Sequence, residues 1–188
     1  MVEHNLMKDY LSGVSDLLEN TSEKDIRTVV DLLKQAYEED RQVFLLGNGG
    51  SAATASHLAC DFQKGIGGFY KKRFRVMAVT DSIPIITAWA NDSEYSDVFA
   101  RQVADFVNSG DLVIGISGSG NSPNVIKAME MANEKGATTI GFAGYSGGRL
   151  AEVAKHSVIV RSENMQQIED VHLVLGHLVF TCLMRELT

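Results

Sequence analysis

The sequence contains few cysteines and prolines. Among its 188 residues there are two cysteines, two prolines and one tryptophan. Cys60 and Cys182 lack the C-x-x-C spacing of metal sites and fall within helix-like apolar patterns. We therefore expect both to be small apolar core residues. Pro-rich linkers, repeats and low-complexity tracts are also missing, which favours one domain spanning residues 1–188.

Long apolar runs and extended basic patches are absent as well. The sequence never approaches the run of about 18 apolar residues that a transmembrane helix needs, and its N-terminus lacks the apolar core of a signal peptide. The net charge is −7, and the one short basic run, residues 71–73, is more typical of a solvated loop than of a nucleic-acid-binding surface. We expect a cytoplasmic protein without nucleic-acid or membrane partners.

What the sequence does contain is an alternation of helical and strand-like apolar patterns. Helical spacing predicts helices over 3–20 and 23–39, with Ser22 and Asp25 resembling a capping box. Five apolar runs then follow that are typical of strands buried on both faces of a parallel sheet: 43–46, 74–79, 112–116, 138–142 and 157–160. The segments between them are long enough for crossover helices: 52–63, 93–107, 123–135 and 147–154.

A last helix is predicted over 164–187. The sequence therefore predicts a three-layer α/β fold with a five-stranded parallel sheet flanked by helices. Residues 1–40 would form N-terminal helices, and residues 41–188 the α/β core with its C-terminal helix.

Two Gly- and Ser-rich turns follow predicted strands, at the strand ends where ligands bind in such folds. The glycine turn is residues 47–51, Gly-Asn-Gly-Gly-Ser, and the serine turn is residues 117–122, Ser-Gly-Ser-Gly-Asn-Ser. Glycines allow the backbone to approach a ligand closely, and helix N-termini attract anions. Ser122 is a plausible N-cap before Pro123. Each turn alone could be a polar turn and no more, but the pair favours a site for a phosphate monoester.

Acidic residues and histidines near these turns are candidates for chemistry. His57 and Asp61 lie four residues apart on one helix, so they can ligate a metal together or form a hydrogen-bonded surface pair. Glu169 and His177 are separated by about 12 Å along the last helix, given a rise of 1.5 Å per residue. They could reach one metal only by leaning together or by coming from different subunits. For His172, on another face of the helix, we expect a structural or interface role.

The segments GNGGSAATASHLACD and ISGSGNSPNVIKA resemble the sugar-isomerase (SIS) domain family, and the resemblance extends over nearly the whole chain. Within this family, the presence of both His57 and His177 resembles the pattern of the phosphoheptose isomerases. The resemblance implies a flavodoxin-like sheet and a homotetramer with shared active sites. It also implies conversion of sedoheptulose 7-phosphate to D-glycero-D-manno-heptose 7-phosphate through an enediol(ate), with one zinc per subunit.

The resemblance also implies roles for individual residues. Residues expected to bind the substrate and its phosphate are Asn48, Gly49, Ser51, Asn91, Asp92, Ser117, Gly118, Ser119, Ser122 and Glu169. Metal ligands are expected among His57, Asp61, Glu169 and His177. An aldose–ketose isomerase needs a base that moves a proton between adjacent carbons and an acid or metal that steadies the enediolate oxygen. Asp61 is the candidate base and His177 the candidate acid.

The sequence departs from the family pattern at several site positions. The family usually has Glu at Asp61, Gln at Glu169, Thr at Gly118 and an acidic residue at Gln166. With the loop at 65–70, these departures leave open an isomerase for another sugar phosphate. A non-enzymatic, phosphosugar-binding relative that associates with a replication initiator is a further alternative, which residues 144–148 resemble. Such relatives typically lack the histidine at position 177, so its presence favours catalysis.

Overall fold

A computed structural model describes residues 2–66 and 72–187. Within these ranges the chain forms eight α-helices and five β-strands: α1 (Val2–Glu19), α2 (Glu23–Glu38), β1 (Val43–Gly47), α3 (Gly49–Cys60), β2 (Val76–Ala78), α4 (Ile83–Asp92), α5 (Val98–Phe106), β3 (Leu112–Ser117), α6 (Pro123–Glu134), β4 (Thr138–Gly144), α7 (Gly148–Val153), β5 (His156–Val160) and α8 (Met165–Glu186). A π-helical turn, Asp61–Ile66, extends α3, and a 3₁₀ turn, Tyr95–Asp97, precedes α5.

The five strands form one parallel sheet in the order β2-β1-β3-β4-β5. This confirms the predicted five-stranded parallel sheet. All residues of β1 and β3 are buried, as expected for central strands covered on both faces. After β1, the chain adds β2 on one side of β1. It then returns to add β3, β4 and β5 in succession on the other side. The crevice between β1 and β3 is therefore the topological switch point, where ligands bind in doubly wound sheets.

Successive side chains of β1 point to opposite faces of the sheet and enter two separate cores. Val43 and Leu45 pack with residues of α2, α3 and α8. Phe44 and Leu46 pack with residues of α5, α6 and α7. The result is the predicted three-layer arrangement.

The N-terminal helices pack on α8 through apolar side chains of the first core and are also joined to it by polar contacts at the surface. Tyr10 of α1 donates a hydrogen bond of 2.6 Å to the Asp170 carboxylate, and Arg27 of α2 forms an ion pair with Glu186. The predicted cap of α2 is confirmed, because the Asp25 amide donates to Ser22 Oγ at 3.2 Å.

Several sequence predictions differ from the structure. Helix α4 was missed: every residue of α4 keeps part of its surface exposed, so the apolar positions do not mark one buried face. The predicted helix over 93–107 is in fact the 3₁₀ turn followed by α5, and the strand predicted over 74–79 is shorter. Cys60 is exposed, so its assignment to the core was wrong, and Cys182 is only partly buried. The buried face of α3 could not be predicted from the sequence, because small alanine residues occur on every side of this helix.

Part of the loop at 65–70 and of the basic run at 71–73 lies outside the described residues. Among the helices that are described, none combines the length and apolar character needed to cross a membrane.

Candidate functional site

The glycine turn and the serine turn lie side by side at the carboxyl-terminal edge of the sheet. They end the neighbouring strands β1 and β3 and begin α3 and α6, whose N-caps are Asn48 and Ser122. The side-chain amides of Asn48 and Asn124 donate to each other in two hydrogen bonds of 2.8 Å. Tyr95 also donates to Asn48 Oδ1 at 3.1 Å. Both helix N-termini, the positive ends of their dipoles, are therefore held together at the switch point.

The serine turn presents hydroxyl groups at this edge. Ser117 Oγ and Ser122 Oγ are 2.9 Å apart, and Ser119 Oγ accepts a hydrogen bond of 3.1 Å from the Asn121 amide. Ser117 is buried, as is Ser51 at the start of α3. The Ser122 hydroxyl bonds to Ser117 instead of capping α6, although Ser122 occupies the predicted N-cap position. Hydroxyl groups at a helix N-terminus form an arrangement that suits the oxygens of a phosphate monoester.

The segment before α7 packs against the serine turn and holds its backbone in place. Gly120 has a positive φ of 68°, and a Cβ at this position would lie 2.2 Å from the Gly147 carbonyl oxygen. The Leu150 amide donates to the Gly120 carbonyl at 2.8 Å, and the Arg149 amide donates to Asn121 Oδ1 at 3.0 Å. The segment 144–148, in which the sequence resembled non-enzymatic relatives, thus has a structural role beside the candidate phosphate site.

Gly118 lies in the same turn and is covered by the first residue of α8. A Cβ at Gly118 would stand 2.4 Å from Met165 Sδ. Met165 therefore lies in the space that a side chain at position 118 would enter, and the end of its flexible side chain would have to shift to admit one. Sequence reasoning missed Met165, since only the folded chain brings α8 to the serine turn.

His57, Asp61 and His177 form a cluster between α3 and α8, here called the His–Asp cluster. His57 Nε2 and His177 Nε2 are 2.8 Å apart, and Asp61 Oδ2 lies 3.3 Å from the first and 3.6 Å from the second. Asp61 stands at the end of α3, where the π-helical turn begins. All three residues come from one chain.

The geometry of the His–Asp cluster fits a zinc ion. Zinc bonds of 2.0–2.2 Å in a tetrahedral site separate the ligand atoms by about 3.4 Å. The observed separations of 2.8, 3.3 and 3.6 Å bracket this value. Two imidazoles and one carboxylate leave a fourth position open, as in catalytic zinc sites. The side chains of His57 and His177 are 50% and 47% exposed, so a substrate can reach the cluster.

The remaining candidates lie apart from the His–Asp cluster. The Glu169 carboxylate packs against Gly50 at the start of α3, where a Cβ would stand 2.6 Å from Glu169 Oε2. Asn91 and Asp92 are exposed at the end of α4, and Asn91 Nδ2 donates to Asp92 Oδ1 at 2.8 Å. Gly49 is the first residue of α3 and has a positive φ of 52°.

A family model described as "SIS domain" matches residues 9–144 of the chain. The chain belongs to the SIS domain family. The predicted family is thereby confirmed. The match to the SIS domain includes both turns and two members of the His–Asp cluster, whereas His177 and Glu169 lie beyond its end.

Relatives of this SIS domain extend the similarity over the rest of the chain. The phosphoheptose isomerase of Clostridium acetobutylicum is 38% identical and covers 87% of this chain and 83% of its own length. That of Helicobacter pylori is 35% identical and covers 98% and 97%. The solved structure of a phosphoheptose isomerase from Neisseria gonorrhoeae matches with a TM-score of 0.88 at 28% identity, covering 97% of this chain and 98% of that one.

Proposed function

We propose that the protein is an aldose–ketose isomerase that converts sedoheptulose 7-phosphate to D-glycero-D-manno-heptose 7-phosphate. The observation that carries this proposal is the arrangement along α3. The helix begins beside the serine turn and carries His57 and Asp61 towards its other end. Gly49 and His57 are eight residues apart, which is about 12 Å along the axis. This span is of the same order as the length of a seven-carbon sugar phosphate. The relatives named phosphoheptose isomerases support the same substrate.

The phosphate would bind at the serine turn. The hydroxyls of Ser117, Ser119 and Ser122 would donate to its oxygens, and the N-terminus of α6 would stabilise its charge. Asn48, Gly49 and Ser51 would extend this site from the start of α3. Asn91 and Asp92 would contact the substrate only from outside the two turns, and their role remains a prediction from the resemblance.

Proton transfer would take place at the His–Asp cluster. Asp61 would remove the proton from one of the two carbons, and His177 would donate a proton to the oxygen of the other, giving the enediol(ate). With Asp61 Oδ2 and His177 Nε2 3.6 Å apart, the two groups can address neighbouring atoms of one substrate. General acid–base catalysis of this kind contributes roughly 10²–10⁴-fold to the rate.

We also propose one zinc per subunit, with His57, Asp61 and His177 as its candidate ligands. His177 Nε2 cannot bind zinc and donate a proton at the same time, and Asp61 cannot be a tight ligand and a free base at once, so one role of each residue dominates in a given step. When bound, zinc would polarise the hydroxyl and carbonyl oxygens of the substrate. Ligation by Glu169 stays a prediction, because its carboxylate lies against Gly50 near the other end of α3. The activity is expected in the cytoplasm, where phosphorylated sugars are retained by their charge.

The direct test is turnover of sedoheptulose 7-phosphate by the purified protein and by two histidine variants. His177→Gln should lower turnover by roughly 10²–10⁴-fold if His177 is the acid or a zinc ligand. Its melting temperature should change little, since the side chain is 47% exposed. Zinc content distinguishes the two roles, because a lost acid leaves zinc bound whereas a lost ligand does not.

His156→Gln is the matched control for His177→Gln. His156 is exposed at the first residue of β5, at the edge of the sheet opposite the two turns, so its variant should keep full turnover. A His177→Gln protein with near-full turnover would remove the catalytic assignment and favour a non-enzymatic phosphosugar-binding role. Turnover of another ketose phosphate, but not of sedoheptulose 7-phosphate, would favour the alternative substrate.

A further inference from the structure

The side chain of Asn48 occupies a capping position without capping its helix. Asn48 is the N-cap residue of α3 and has the extended backbone of a capping residue, with φ of −115° and ψ of 152°, but its side chain forms no capping hydrogen bond. An asparagine at this position ordinarily accepts a hydrogen bond from the second or third amide of the helix, here that of Gly50 or Ser51. Neither amide has a hydrogen-bond partner among the described residues. Both therefore remain available to an anion at the switch point.

Two donors occupy the side-chain oxygen of Asn48. Asn124 Nδ2 donates to Asn48 Oδ1 at 2.8 Å, and the Tyr95 hydroxyl donates to the same oxygen at 3.1 Å. A carbonyl oxygen has two lone pairs, so these two hydrogen bonds satisfy it. Loss of either donor would free a lone pair for a capping bond at the start of α3.

Tyr95 is brought to Asn48 by the 3₁₀ turn before α5. Lys127 of α6 donates to Asp97 Oδ1 at 3.0 Å, which ties this turn to α6. Lys127 and Asn124 are three residues apart, so the same face of α6 holds both donors to Asn48. The side chain of Tyr95 is 56% exposed and contributes little to the core. The position of its hydroxyl is therefore set by the turn.

We propose that Tyr95 is a positioning residue that keeps the start of α3 open for the phosphate. This inference rests on the proposed function for the identity of the bound group. The Tyr95 hydroxyl occupies the Asn48 oxygen, and the free amides of α3 then donate to the phosphate beside the serine turn. Without Tyr95, the Asn48 side chain would compete with the phosphate for an amide. A cap of this kind stabilises the helix, so the present arrangement favours binding over stability.

Tyr95→Phe tests this inference, because it removes the hydroxyl and keeps the ring. Calorimetry with glucitol 6-phosphate, a sugar phosphate without a carbonyl group, measures binding separately from turnover. The affinity of Tyr95→Phe should be roughly three- to tenfold lower than that of the wild type, as expected when a capping bond competes for one amide. The melting temperature should be equal or higher. Loss of a residue that only supported the fold would lower the melting temperature instead.

Asn48→Ala provides a second comparison, because Tyr95 is proposed to act only through the Asn48 side chain. In an Asn48→Ala background, Tyr95→Phe should change the affinity by less than about twofold. Tyr37→Phe is the matched control. The Tyr37 hydroxyl also donates a hydrogen bond of 3.1 Å, but to the Lys72 carbonyl oxygen, which precedes β2 at the opposite edge of the sheet. Tyr37→Phe should keep the wild-type affinity.

Unchanged affinity in Tyr95→Phe overturns the inference. An equal loss of affinity with and without the Asn48 side chain also overturns it, since Tyr95 would then contact the ligand directly. Wild-type protein that does not bind glucitol 6-phosphate overturns it as well. If the wild type binds this probe and Tyr95→Phe binds it more weakly only when Asn48 is present, the inference stands, even where sedoheptulose 7-phosphate is not turned over and the proposed function fails.

Discussion

His172 lies in the core with one ring nitrogen unpaired. Its Nε2 is 3.2 Å from the Ala143 carbonyl oxygen, so Nε2 carries the proton and donates. Its Nδ1 is buried without a hydrogen-bond partner among the described residues. The ring also packs edge-on against Phe142, with centroids 5.9 Å apart. Burial lowers the pKa of His172 to about 4, because the imidazolium would lose its hydration, although the bond to Ala143 partly opposes this effect. The structure thus agrees with a structural role.

We predict that the free energy of unfolding decreases as the pH falls from about 6.5 towards 4, the ordinary and folded pKa values of His172. Between these values the unfolded chain binds a proton at His172 and the folded chain does not, so acid favours unfolding. The stabilisation is fully present above pH 6.5. A pKa difference of about 2.5 corresponds to at most about 3 kcal/mol at 1.36 kcal/mol per pKa unit.

Urea unfolding at pH 7.5, 6 and 5 measures this effect. His172→Gln can still donate to the Ala143 carbonyl but does not titrate, so its unfolding free energy should depend less on pH. His156→Gln removes an exposed histidine and should keep the wild-type dependence. If the His172→Gln and wild-type profiles have the same slope, other groups cause the acid sensitivity.

Individual site residues could be predicted from the sequence when their residue type itself indicates a chemical role. Serines on a glycine frame and histidines with carboxylates mark a phosphate or metal site wherever they occur. Asn124, Tyr95 and Met165 gave no such signal. Asn124 reaches Asn48 across 76 positions of the chain, and a contact of this kind is created only by folding.

At the scale of elements, α3 and α8 run side by side in the same direction. Successive contacts along the pair join Gly50 to Glu169, Leu58 to Gly176 and His57 to His177. This explains how Glu169 and His177, about 12 Å apart along α8, can both lie beside α3. The spacing on α8 was readable from the sequence, but the partner helix and its direction were not.

We predict that Gly176→Ala separates α3 from α8. A Cβ at Gly176 would lie 2.6 Å from Leu58 Cδ2, so the helices must move apart or Leu58 must change rotamer. Overpacking of this kind costs about 1–3 kcal/mol of stability. Because His177 follows directly, its distance from His57 should increase, and zinc affinity and turnover should fall together.

Leu58→Ala in the same chain removes the atoms that the new Cβ meets. The double variant should recover zinc affinity and turnover relative to Gly176→Ala, while Leu58→Ala alone shows the cost of the cavity. Calorimetric zinc binding and urea unfolding of the three variants measure both effects. Unchanged zinc affinity in Gly176→Ala would mean that the glycine does not set the geometry of the His–Asp cluster.

At the scale of the whole molecule, large aliphatic side chains are exposed on three separate helices. Met7 and Leu11 on α1 are 66% and 68% exposed, Ile83 on α4 is 70% exposed, and Leu178 on α8 is 43% exposed. Exposed apolar side chains that lie together on one helix face, as Met7 and Leu11 do at a spacing of four residues, favour association with another protein chain. The same exposure is the reason that α4 escaped prediction, because its apolar residues follow no face of the single subunit.

We predict a homotetramer in solution, with a mass of four 20.5 kDa chains by light scattering. The double variant Met7→Glu/Leu11→Glu places charges on one exposed apolar face of α1 and should give smaller species. Turnover should fall with the change in assembly if the active sites are shared between subunits. Lys24→Glu changes the charge equally on the exposed surface of α2 and should remain tetrameric. A stable wild-type monomer at micromolar concentration would contradict the tetramer.

The reciprocal amide pair at the switch point also bears on how the protein ages. Asn48 is followed by Gly49, and an asparagine before glycine deamidates readily, because the next backbone nitrogen can attack the side-chain carbonyl. Here that carbonyl accepts hydrogen bonds from Asn124 and Tyr95, and the glycine nitrogen is already part of α3. The folded chain therefore shields a chemically fragile dipeptide. Conversion of Asn48 to aspartate would place a carboxylate against the Asn124 side-chain oxygen and break the amide pair. The long-term chemical stability of the ligand site therefore depends on the site remaining folded.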